Sequence, residues 1–442
     1  MQHRLIFLLA LLSLTLTGAV VRAAEWQASD TDSDVERCYT HPIIDEVKTL
    51  RVVTDGDFQR LPVIDNTHNS SLQISFDILS DEQYFLQYQV MHCDANWRPD
   101  DLSELDYIDG FQPSRVEEVT PSFNTYINYW HYTLSFPNEE LRLLVSGNYA
   151  VIFHIEGDPD TPVAMACFSV TEQKAFVGGE VSGITDIDYR QEHQQLTLQC
   201  TWSASQLPYL NPASDLKLIV TQNHRPDTRR TLSQPSRMEA GKAYYEHNPA
   251  LIFEAGNTFR RFEFTDRRYA TLGIEQVRFV DPYFEVQIPL QHSRQGAFYL
   301  YDRDQHGRYV VNALRVDDVH TEGEYFWADI QLAGAMPSRR GASVYLTGDF
   351  TYGELTEPYL MQYDPVLETF HGRVLLKQGH YNFQFLCGEE WTPADPLPVV
   401  LPTLGPCEGN YYEAHNEYDV YVYYRAPGER YDRLLGVAQF SL

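Results

Sequence analysis

An all-β fold of sandwiches in tandem is what the sequence predicts, on three observations. Aromatic and β-branched residues, with 30 Tyr and 23 Phe in the chain, fall in short runs that alternate apolar with polar, the period of a half-buried antiparallel strand. Gly, Pro, Asn and Asp cut those runs at intervals of about 8 to 12 residues, the strand spacing of a sandwich. The runs are also rich in the residues that prefer a pleated surface over a helix. A length of 442 residues exceeds what one core fills, and three domains are assigned.

The elements follow in order. Arg4, an apolar run from Leu5 to Leu16 and Val21-Arg22-Ala23-Ala24 have the form of a secretory signal peptide over residues 1–23, too short and too interrupted by Ser13, Thr15 and Thr17 to span a bilayer. Residues 24–37 are an acidic lead-in without apolar periodicity. A first sandwich is expected over 38–172, with strands at Leu72–Ile78, Tyr84–Met91 and Tyr149–Ile155. A second covers 173–316, with a strand at Leu216–Val220, a polar proline-bearing loop over 223–241, and a hairpin from Ala297 to Val311 turned at Asp304-Gln305-His306-Gly307. A polar linker at 317–323 opens the third, 317–442, where Val344–Phe350 and Lys377–Phe385 are similar to strands of glycogen-binding sandwich modules. That similarity places the tandem among immunoglobulin-like, E-set-like sandwiches. The sugar-stacking tryptophan pair of such modules is not evident, because Trp327 sits in a strand and Trp391 in a proline-rich loop.

Charge and motif narrow the function. The chain carries 33 basic and 62 acidic residues, a net of −29, and removing the signal leaves about −31. Such a charge repels phosphate backbones, so nucleic acid is not an expected partner. His92-Cys93-Asp94 is not a thiol–base pair, since neighbours on a strand point to opposite faces. Asp302 to Gly307 imitates the start of a calcium loop, but its twelfth position is Ala313 rather than a bidentate Glu. Nucleophile elbows, zinc helices, phosphate loops and paired-cysteine spacings are absent from the sequence. Neither an enzyme nor a cofactor or metal is expected.

The six cysteines are too few for a disulfide scaffold. Cys387 and Cys407 bracket five prolines and are the candidate disulfide; two unrelated buried thiols are the alternative. The pairing of Cys38, Cys93, Cys167 and Cys200 does not follow from their spacing.

Several separate motifs follow one another along the chain: His92 to Trp97, Tyr107 to Gly110, Ser122-Phe123-Asn124-Thr125, Tyr129-Trp130-His131-Tyr132, Ser146-Gly147-Asn148-Tyr149, Tyr189-Arg190, Phe259-Arg260-Arg261-Phe262-Glu263, Lys377 to Phe383, and Glu408 to Tyr418 with Gly428 to Gly436. Together they resemble the plug proteins of the type IX secretion system. The resemblance implies a periplasmic protein associated with the outer membrane, without a membrane span of its own, that docks on the translocon β-barrel and seals its periplasmic opening when no cargo passes. A secreted carbohydrate-binding or adhesive sandwich protein is the alternative. Trp391, Tyr411 and Tyr412, in a loop-rich aromatic segment, are the candidate partner-binding residues.

Overall fold

The computed structural model describes residues 37–65, 70–336, 342–396, 398 and 401–442. The expected signal peptide and all of the acidic lead-in but Arg37 lie outside them. The structure is about 49% strand and 6% helix, and its sheets pack face to face in pairs, as the all-β sandwich expectation requires. Among the described residues no helix is long and apolar enough to cross a membrane.

The first sandwich is contiguous in sequence. One sheet runs His41–Pro42, Asp158–Thr171, Gly147–Ile155, Leu86–Cys93, Ser114–Arg115, with Val63–Asp65 parallel to the long strand; the other runs Val47–Thr54, Leu72–Ile78, Trp130–Phe136, Glu118–Pro121. Alternation decides what each face does: Leu86, Tyr88 and Val90 point into the core, where Tyr149, Phe153 and Phe168 meet Phe76, Tyr132 and Phe136 of the facing sheet.

The other two sandwiches correct the expected boundaries. Arg225–Leu232 and Leu216–Gln222 continue into Glu417–Tyr424 and Arg433–Ser441, with Leu216 opposite Tyr424 and Gln222 opposite Tyr418. This sheet packs on Ala175–Ser182, His193–Trp202, Lys242–Tyr245 and Arg237–Glu239 through Leu198, Leu218, Val220, Tyr245, Val420 and Val422. The middle sandwich is therefore made of residues 175–254 and 417–441. The third is inserted within it: Arg260–Phe264 and Tyr309–Val311 flank Gly379–Gly388, opposite a sheet in which Tyr325–Ala333 and Thr369–Lys377 are central. The expected cut at 316/317 falls inside this insert, where Val319–Glu322 forms one helical turn capped by Asp318. Alternation reveals a strand and its buried face but not its distant partner, so the return of the chain to the middle sandwich was not visible locally.

Two local expectations change as well. The polar segment 223–241 contains the strand Arg225–Leu232; its charges are tolerated because Arg225 pairs with Asp227 and Arg229 donates to Ala95 O and Asn96 Oδ1 of the first sandwich. The expected hairpin at 297–311 keeps only Tyr309–Val311, which pairs with Gly379–Tyr381.

Candidate docking surface

Buried polar ties lock the three sandwiches and so fix the loops they carry. Between the first and the inserted sandwich, Lys377 Nζ donates to Asp77 Oδ2 at 2.6 Å, Tyr325 Oη donates to the same oxygen at 2.7 Å, and His131 Nδ1 lies 2.6 Å from Asp77 Oδ1. Burial alone would raise the Asp77 carboxyl, but Lys377 and His131 outweigh it and keep Asp77 below the usual carboxylate range. Between the first and the middle sandwich, Arg433 holds Glu172 from two nitrogens at 2.8 and 2.7 Å, Asp432 accepts from Ala95 N, and Tyr423 Oη donates to Asn148 Oδ1. Glu172 is lowered to about 2, the arginine, Lys174 and Ser146 overcoming the cost of burial. Where the insert returns to the middle sandwich, Glu408 is fully buried and receives Arg260 and Arg294.

All three sandwiches border one cavity of about 390 Å³, with Cys38, Trp97, Arg229, Arg308, Tyr352 and Asp419 in its wall. His224 lies there too, between Asp419 at 2.7 Å and Glu417 at 2.9 Å, with Arg308 also on Glu417. Burial would lower this imidazole, yet Asp419 and Glu417 raise it to about 10. Among the described residues this trio is the one group spaced to hold a metal. Both ring nitrogens face carboxylates and an arginine already shares one of them, which is the arrangement of an imidazolium ion-pair cluster rather than a vacant ligand set.

Histidine 92 is structural, as its strand position implies. Its Nδ1 lies 2.5 Å from Asp100 Oδ2 and its Nε2 3.1 Å from Ser146 O. Gly147, at φ +136°, passes so close that an added Cβ would meet Nε2 at 2.3 Å, which accounts for glycine in that motif. Asp304, in the calcium-like segment, instead accepts Phe259 N and His306 N as a turn-forming residue.

The candidate partner-binding residues separate. Trp391 is 4% exposed and packs with Tyr345, Leu355, Leu386 and Leu404, so it is a core residue of the insert and presents no face to a partner. The reason is the antiparallel bridge between Leu355 and Trp391, which draws the proline-rich loop inward. Tyr411 and Tyr412 are half-buried supports for two loops on either side of them. Tyr411 Oη donates to Arg294 O at 2.6 Å and to Ala297 O at 2.8 Å, closing the base of the loop 294–302. Tyr412 packs on Gly183 and its N–H donates to Gln191 O, closing the base of the loop 183–191. That loop is tightened by Asp188, which takes Thr185 and His193.

What the two supports hold outward is apolar. Phe298 is 100% exposed, Leu300 82% and Tyr301 58% on one loop; Ile184, Ile187 and Tyr189 stand out on the other. A second exposed group, Phe123, Tyr126 and Phe279, with Tyr126 and Phe279 rings 4.5 Å apart, caps the seam between the first and inserted sandwiches. Sequence reading missed Phe298 and Leu300 because their alternation with Ala297 and Tyr299 has the look of a strand. The available signal was Gly296 just ahead of the run, at φ +72° the start of a turn rather than of a strand. Cys387 and Cys407 are brought together, buried, with their sulfurs 3.4 Å apart.

The family model described as type 9 secretion system plug protein 1st domain matches residues 47–172, the span of the first sandwich. A crystal structure of a hypothetical protein from Parabacteroides merdae ATCC 43184 is 35% identical, with a TM-score of 0.87 over 92% of this chain and 100% of that chain. The structure of dimeric latent PorU from Porphyromonas gingivalis is matched at 9% identity and a TM-score of 0.14, over 90% of this chain and 34% of that one. No curated protein is detectably similar to the chain.

Proposed function

The chain belongs to the type IX secretion system plug family, and from that membership we propose that it is a non-catalytic periplasmic plug that docks on the translocon β-barrel and seals its periplasmic opening when no cargo is passing. The observation that carries this reading is the family match over residues 47–172. The physical properties of the fold support it. A lid over a wide pore has to resist deformation, and three sandwiches joined by desolvated ion pairs form such a body. Docking that must be reversible is served by exposed apolar side chains on a fixed base, and the loops 183–191 and 294–302 each carry a group of them. In an oxidising envelope compartment Cys387 and Cys407 would close into a disulfide, pinning the proline-rich loop.

The test is capture. Tagged protein, gently solubilised from outer membrane, should bring down a very large β-barrel, and deletion of the gene should admit large antibiotics. The double variant Phe298→Ser/Leu300→Ser should lose the barrel while keeping the wild-type melting curve. Recovery of no barrel, together with unchanged permeability, would overturn the reading.

A further inference from the structure

Three of the six cysteines meet at one place that the plug reading leaves unused. In the first sandwich Cys93 lies opposite Asn148, while Cys167 and Met91 lie opposite Ala150. Asn148 and Ala150 are two apart on one strand, so Cys93 and Cys167 share a face. It is the face turned away from the aromatic core: Cys38, Cys93, Ala150 and Cys167 form a buried cluster of their own with Met91, Trp97 and Met165. Cys38 is laid over it by the segment that enters the sandwich. Its N–H donates to Trp97 O, Thr40 Oγ1 accepts from Cys167 N, and His41 pairs with Met165.

Reach decides which sulfurs can bond. Cys93 and Cys167 are on strands separated by Gly147–Ile155. Two strand spacings put their Cα atoms about 9.6 Å apart or more, beyond the roughly 7 Å a disulfide tolerates. Only Cys38, above the sheet, can reach a partner; it packs in the cluster with Cys93, and its backbone is bonded to Trp97 in the turn that follows Cys93.

We propose that Cys38 and Cys93 are a disulfide-forming pair that staples the entering segment to the first sandwich, with Cys167 remaining a thiol. The proposal rests on the envelope placement of the plug reading for its oxidant, a small-molecule or protein disulfide. Cys38 borders the 390 Å³ cavity, whereas Cys93 is fully buried, so Cys38 is the sulfur that meets the oxidant. Contact with Cys38 and burial raise the Cys93 thiol, so the attack on the oxidant starts at Cys38, the sulfur at the cavity. The Cys38 thiolate attacks one sulfur of the external disulfide and expels the other as a thiolate. Cys93, deprotonated, then attacks the Cys38 sulfur and expels the second. One S–S bond forms, one is consumed, and two electrons and two protons pass to the oxidant. The bond would fix Arg37 to His41 between two sandwiches, since Tyr39 Oη already donates to Glu354 Oε1 of the insert at 3.0 Å.

The experiment maps disulfides in the full chain, purified reduced, exposed to oxidised glutathione, alkylated and digested with trypsin. Cys38 and Cys93 fall on different peptides, 38–48 and 61–115, and should appear linked. Cys167→Ser should leave the link intact, Cys38→Ser should leave Cys93 and Cys167 both alkylated, and adding reductant should lower the melting midpoint of wild type by several degrees more than that of Cys38→Ser, in which only the Cys387–Cys407 bond is left to reduce. Cys38 linked to Cys167, a Cys93–Cys167 link in Cys38→Ser, or Cys38 and Cys93 recovered as free thiols would overturn the pair. Envelope-derived protein carrying the thiols, while the purified chain closes the bond, would refute the compartment and leave the pair standing.

Discussion

The first sandwich and the middle one are built from the same kind of alternating strand by opposite assembly. In the first, residues from 41 to 171 supply every strand, and every strand's neighbours in its sheet lie within that one stretch. In the middle one, Leu216–Gln222 bonds to a strand that begins about 200 residues later, and the intervening chain has built a sandwich of its own. The difference teaches that the seams carry the architecture: the inserted body is held to the middle one by Arg308 on Glu417, and to the first by Lys377 on Asp77.

The largest effect should come from cutting the middle sandwich at its discontinuity. Removing residues 417–442 takes two of four strands from one sheet and uncovers Leu218 and Val220. Hydrogen exchange should then show residues 175–254 unprotected and the first sandwich still protected; protection lost equally in both would break the contrast. At the seam, Lys377→Met should cost about 3–5 kcal/mol by denaturant unfolding, because Asp77 is left charged and buried without its ammonium. Adding Asp77→Asn should restore most of that loss, and a single mutant indistinguishable from wild type would mean that the seam contributes little.

A pH-dependent effect of similar size is expected at the cavity. The folded-state pKa of His224 is raised to about 10 against an ordinary 6.5, so its contribution is full below about pH 6.5 and is lost as pH rises through about 10. His224→Gln should cost about 4–5 kcal/mol at pH 6, and the gap to wild type should close towards pH 10. A gap constant with pH would place the effect in packing rather than charge. Least of all should Phe298→Ser disturb folding, within about 0.5 kcal/mol, as an exposed loop residue does; a larger loss would show that Phe298 packs against the body.

Much of the first sandwich was legible in the sequence because all of its strands fall within one contiguous stretch. Alternation in Leu86–Cys93 and Gly147–Ile155 marks both strands and the faces they bury, and the end of the block near residue 172 coincides with the end of its last strand at Thr171. The insertion was not legible, since nothing in Glu417–Tyr424 distinguishes pairing with residue 216 from pairing with residue 379. The candidate site was half visible. An aromatic loop segment at 411–412 was found, but Tyr411 and Tyr412 proved to be the posts and Phe298 and Leu300 the exposed surface. Trp391 misled because an indole in a proline-rich loop has the same sequence signature whether it faces solvent or, as here, a leucine cluster.

The last strand of the middle sandwich lies against its first: Gly436 sits so near Ala175 that a Cβ would approach the Ala175 carbonyl to 2.1 Å, and Glu172 and Lys174 donate to Leu434 and Leu435. For a chain emerging N-terminus first, this sets an order of events. The first sandwich can close while the rest is still arriving, and the insert can close next. The two strands left waiting at 216–232 keep an open edge until residues 417–441 appear, an interval in which another chain's strand could take the place of the proper one. Slow emergence lengthens that interval, so the yield of correctly paired protein should be governed by the arrival of the final hairpin rather than by the stability of the finished fold.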